Sequence, residues 1–145
     1  MLPDSQQLVI VTPERQLLSE QITEVLLPGA DGYLGVLPGH APLITELGIG
    51  ELTYRTTSGQ SGLLVVVRGF AEVLPDHVSV LAELAERAED IDLKRAQEAF
   101  KRAQERIAAG DENIDWGRAL AALQRALVRI QVVEKHQGIN IATVR

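Results

Sequence analysis

Asp92, Arg95, Arg102 and Arg106 recur through "IDLKRAQEAFKRAQERI", residues 91–107, at steps of three, seven and four. On a helix these steps fall on one stripe, with Ala99 between. A second row, Arg118, Ala122, Arg125 and Arg129, follows the same rule further along. Guanidiniums present planar forks that match phosphate oxygens two at a time. A carboxylate beside them would accept from an amino group or a ribose hydroxyl. Arginines on facing rows repel unless something anionic lies between them. Glu98, Glu105 and Glu134 offer ordinary helix-surface partners instead. Spacing alone therefore leaves two readings, a solvated helix face and an anion-binding row.

Other chemistry is thinly represented. His40, His77 and His136 lack the spacing of metal ligands, and with no cysteine there is no thiolate site or disulfide. "PGADGYLGVLPGHAP", residues 28–42, is glycine-rich. It has neither dinucleotide spacing nor a following Gly-Lys-Ser/Thr, and a strand comes next, so it reads as tight turns. Glu83 and Glu86 read as charges at a helix entry rather than an acid–base pair. No Ser-His-Asp or Cys-His arrangement stands out.

The elements that position these residues follow from composition. The chain has 145 residues, 46% apolar and 23% charged, with aromatics at 3%, so its core must be aliphatic. A net charge of -6 argues against a nucleic-acid binder. The N-terminus lacks a signal-peptide pattern, and the run "LLVVV" is too short to cross a bilayer. Up to residue 85, β-branched runs alternate with turn residues, and all six prolines lie there. That texture predicts a β-sandwich or barrel. Beyond it Ala, Glu, Arg, Leu and Gln dominate, which predicts two helices, about 91–108 and about 114–135. Gly110 is the expected stop of the first, and Asn113 or Asp115 the cap of the second. The short loop makes an antiparallel hairpin. Its apolar seams are Leu93, Ala96, Phe100, Ala103 and Ile107, and Trp116, Ala119, Leu123, Ala126, Ile130 and Val133. "HQGINIATVR", at the C-terminus, shows no helical pattern. The predicted domains are residues 1–85 and 86–145.

The sequence resembles the epsilon subunit of F-type ATP synthases over nearly its whole length. "GYLGVLPGHAPLIT" followed by "GIGEL" is similar to the family's sandwich signature, and "RGFAEVLPDHVSVLAELAE" to its last strands. The resemblance implies a sandwich of about ten strands followed by a helical hairpin. In some bacterial members Ile or Leu, Asp, two free positions, Arg and Ala form an ATP motif. Ile91, Asp92, Arg95 and Ala96 of "IDLKRA" match it. By the same resemblance Glu86, Arg102, Arg125 and Arg129 complete the ATP set, and Tyr33, His40 and Arg118 face partners.

The implied function is that of a non-catalytic rotor subunit. Its partners would be gamma, the c-ring and, in an extended state of the hairpin, the catalytic alpha and beta subunits. ATP would be a regulatory ligand, with no cofactor required and no membrane insertion. The location would be peripheral, on the cytoplasmic face of the inner (plasma) membrane. Two rivals are a stand-alone helical-hairpin adaptor and a small ligand-binding β-sandwich.

Overall fold

The computed structural model describes residues 2–144, with side chains described through Gly138. The chain forms two compact units, Met1–Arg87 and Ala88–Arg145. The division falls two residues beyond the expected boundary, because the last strand keeps its ladder through Arg87.

In the first unit, strand β1 (Gln6–Val11) buries Gln6, Leu8 and Ile10 at alternate positions. This is the period of a strand with one face inward. β2 (Gln16–Gly29) turns through Ala30 and Asp31 into β3 (Gly32–Val36). β4 (Leu43–Thr56), β5 (Ser61–Leu74) and β6 (His77–Arg87) then run as an antiparallel meander. The sheet order is β1-β6-β5-β4-β2-β3. β1 pairs parallel with β6 on one side and antiparallel with β2 on the other, which closes the sheet.

One core fills the closed sheet. Leu8, Ile10, Ile22, Leu27, Leu52 and Leu64 are its largest aliphatics, each no more than 1% exposed. Each contributes about 1.5–3 kcal/mol from burial. Leu63, Val65 and Val67 point to the opposite face of β5 and are buried too.

Six continuous strands replace the ten short ones expected, yet the two counts are roughly consistent. β2, β4 and β5 are each 14 residues long. Each long strand is interrupted once or more. Pairing skips Gly48 opposite Arg68, and Arg68 opposite Glu83, with the register unchanged on either side. β4, β5 and β6 are thus broken on one shared row. Within it Arg68 has φ 53° and Gly69 φ 122°, which turns the strand sharply. A Cβ on Gly69 would come within 2.0 Å of the Leu81 carbonyl oxygen, so no other residue fits there.

The second unit opens with a 3-10 helix (Ala88–Asp90), followed by α1 (Leu93–Ala109) and α2 (Trp116–Val144). α1 and α2 pack together. Gly110 ends α1 in the left-handed conformation, as expected, its N–H returning to the Ile107 carbonyl. Asp115 is the cap that opens α2, through a 3.1 Å bond from the Arg118 N–H. The expectation for the C-terminal tail is corrected, since α2 continues through it to Val144. Propagating an established helix costs little even for β-branched residues. Among the described residues no helix is long and apolar enough to cross a membrane.

Two outcomes follow from this architecture. Residues 1–87 expressed alone are expected to melt cooperatively, since the closed sheet holds its own core; a gradual melt would count against an autonomous unit. Gly69→Ala is expected to cost the sandwich roughly 2 kcal/mol or more, read from chemical denaturation.

Candidate functional site

The segment carrying the sequence motif begins the helical unit, and most of its residues have structural work. The Ile91 N–H donates to the Ala88 carbonyl at 3.3 Å, and Ile91 is half-buried. Asp92 is the N-cap of α1: its Oδ1 accepts from the Arg95 N–H at 3.1 Å. A cap of this kind satisfies a donor that the helix cannot, and is worth about 1 kcal/mol. Ala96 is buried, as is Ala103 two turns on. That leaves the side chain of Arg95 exposed in solvent, with Arg102 and Arg106 along the same helix.

α2 contributes the second row. Arg118 is exposed, whereas Arg125 and Arg129 are half-buried. Buried alanines again mark the packing face, Ala119 and Ala126, joined by Val128, Val132 and Val133. Alanines seven apart on both helices allow a close approach of the axes. The two valines Val128 and Val132 lie outside the expected seam, and Trp116 departs from it the other way, at 49% exposed. It is the first residue of α2, where a helix face is only beginning.

Among the described residues, Arg95, Arg102, Arg118 and Arg125 make no side-chain ion pair. Charge is also unevenly shared between the units. Residues 1–87 hold four Lys and Arg against eleven Asp and Glu, and residues 88–145 hold ten against nine. Cationic groups available to an anion are therefore concentrated on the helices.

The remaining sequence candidates lie in the sandwich unit. Glu86 is half-buried on β6, opposite Val65. It and Glu83 are strand residues, which corrects their reading as helix-entry charges. Tyr33, on β3, is 58% exposed, yet its hydroxyl accepts from the Glu51 N–H at 3.1 Å. That bond ties the hydroxyl to β4 while more than half of the residue stays exposed. His40 follows in the loop, its Nδ1 2.6 Å from the Ala41 carbonyl oxygen. Thus the structure places Ile91, Asp92, Arg95 and Ala96 at the start of α1 and Arg102 in its middle, Arg118, Arg125 and Arg129 on the next helix, and Glu86, Tyr33 and His40 on the sandwich.

Two residues escaped the sequence reading. Gln6 is fully buried; its Nε2 donates to the Val36 carbonyl at 3.1 Å, and its Oε1 has no protein partner among the described residues. Its place at an inward position of β1 was a visible signal. Arg87 donates from Nη2 to the Leu17 carbonyl at 2.6 Å, a contact 70 residues apart that no local pattern announces. Among the described residues no group of three or more His, Cys, Asp or Glu could hold a metal ion.

Comparison with known proteins gives a consistent picture. Residues 5–88 match the family model of the ATP synthase Delta/Epsilon chain beta-sandwich domain, and residues 89–134 that of its long alpha-helix domain. The chain is 51% identical over 134 residues to the ATP synthase epsilon chain of Solibacter usitatus, covering 92% of this chain and 99% of that one. It is 51% identical over 125 residues to the epsilon chain of Nitratidesulfovibrio vulgaris, covering 86% and 92%. Its fold is similar to a chain in the Euglena gracilis mitochondrial ATP synthase, OSCP/F1/c-ring in rotational state 1. The TM-score there is 0.69 at 20% identity, covering 96% of this chain and 83% of that one. A chain of the Tetrahymena thermophila mitochondrial ATP synthase central stalk and c-ring gives 0.53 at 14% identity, covering 90% and 95%. With both units matched in order, and curated relatives half-identical almost end to end, the chain belongs to the ATP synthase Delta/Epsilon chain family.

Proposed function

We propose that this protein is a non-catalytic central-stalk subunit of an F-type ATP synthase, and that its helical unit senses ATP and restrains hydrolysis. Its family membership supports the assembly. The similar chains from Euglena and Tetrahymena come from F1/c-ring and central stalk/c-ring assemblies, which suits a sandwich seated between gamma and the c-ring. The exposed Tyr33 and the loop around His40 are the surfaces assigned to those contacts. The protein would then lie peripherally on the cytoplasmic face of the inner membrane.

The observation that carries ATP sensing is a set of guanidiniums that make no ion pair among the described residues, Arg95 and Arg102 on α1 and Arg125 on α2. Arg129 lies one turn beyond Arg125 on the same helix. Such a set suits a triphosphate, which offers several acceptor oxygens to planar donors. Asp92 retains its second oxygen as an acceptor for the base or ribose, since only Oδ1 is engaged by the cap. Glu86 and Ile91 complete the assigned set, and Ala96 supplies helix packing. ATP bound to one arrangement of the helical unit favours it by its differential affinity alone. At a hundred times the dissociation constant that bias is about 2.7 kcal/mol. In the other arrangement α2, carrying Arg118, would meet acidic surface of the alpha and beta subunits and block hydrolysis.

Two experiments decide this reading. In calorimetry on the isolated protein, Arg125→Ala is expected to weaken ATP binding roughly tenfold or more, since a hydrogen bond to a charged group is worth about 1.5–3 kcal/mol. Lys94→Ala should leave it nearly unchanged; equal losses would mean nonspecific charge attraction. In the assembled enzyme, removing residues 88–145 is expected to raise ATP hydrolysis while assembly persists. Unchanged hydrolysis at low and high ATP would remove the regulatory role.

A further inference from the structure

The covalent joint between the two units is fastened on both sides. On the sandwich side, Arg87 is the last residue of β6, in register opposite Leu64. Its Nη2 holds the Leu17 carbonyl near the start of β2. On the helical side, the 3-10 helix Ala88–Asp90 packs on α2, and Ala88 is 3% exposed. Ile91 bonds back to Ala88, and Asp92 caps α1 immediately after. The last residue tied to the sandwich and the first tied to the helices are therefore consecutive. Boundaries between units usually fall in exposed, polar or glycine-rich linkers, and this one has no such linker.

We propose that the Arg87–Leu17 hydrogen bond is the latch of a one-peptide hinge. A single peptide offers only the rotations beside it, so the helical unit can swing in few directions unless more chain is freed. The nearest source is the end of β6, and the Arg87 guanidinium closes that source. Opening the bond lets the last residues of β6 fray and lengthens the tether. Drawing chain from the other side would peel the 3-10 helix from α2 and uncover Ala88. The latch thus sets how readily the helical unit changes place, and in that sense it rests on the two-state reading above.

The test uses the full chain with Arg87→Met, which keeps the aliphatic stem and loses the donor, and Arg87→Lys, which keeps a charged donor. Because the protein has no cysteine, Glu20→Cys and Glu105→Cys give one exposed label site on each unit. In Arg87→Met, amide exchange over residues 84–90 is expected to quicken roughly tenfold or more, with the rest of the sandwich unchanged. The label-to-label distance distribution is expected to broaden, and Arg87→Lys to fall between the two. Exchange and distances equal to the parent, or exchange rising uniformly over the whole sandwich, would overturn the latch. Repeating the distances with ATP separates the two ideas. If ATP alters neither protein while Arg87→Met still broadens the distribution, the two-state reading fails and the latch stands.

Discussion

β1 has a neighbour on each edge, and the sandwich depends on that double pairing. Its parallel bonds to β6 and antiparallel bonds to β2 leave the sheet with no free edge along β1. Closure requires strands to bend, and β4, β5 and β6 do so on one row, Gly48, Arg68 and Glu83, without losing register between them. The bend in turn requires the backbone of Arg68 and Gly69 to adopt positive φ. Sealing Leu8, Ile10 and Leu64 into one core is the return for that local strain. The same closure brings the start of β2 within reach of the end of β6, so Arg87 can find Leu17.

In the helical unit the governing contact is smaller. Ala96, Ala103, Ala119 and Ala126 are buried where the helical unit packs, together with Val128, Val132 and Val133, and the faces beside them are left for arginine. The motif residues divide accordingly. Asp92 starts the helix, Ala96 packs it, and Arg95 remains available for chemistry. The sequence motif in this position is first of all a helix start.

Much of this was legible in the chain. The change from β-branched runs to Ala, Glu and Arg announced two units, because turn-rich strands and helices draw on different residues. The C-terminal end of α1 was legible too, since Gly110 ends the helix by local chemistry, whereas its start moved to Leu93 because Asp92 serves as the N-cap. What escaped depends on distance or continuity. The boundary moved to Arg87 because a bond to Leu17 and pairing with Leu64 hold β6 to its end. α2 ran past Lys135 because helical continuity outweighs the weak propensities of Gly138 and the β-branched residues after it. Trp116 counted as seam by spacing, but the first turn of a helix need not face anything.

The alanine seam also determines which mutations the helical unit can absorb. At Ala96, Ala103, Ala119 and Ala126 the side chain is already the smallest that favours a helix. Glycine would cost about 1 kcal/mol of helix propensity at each, and anything larger would push the axes apart. Single substitutions are therefore costly along this line, whereas exposed positions such as Lys94 and Lys101, on another face of α1, can drift. Change along this line thus disturbs the spacing of the helices, and exposed positions outside the arginine rows accept it more readily.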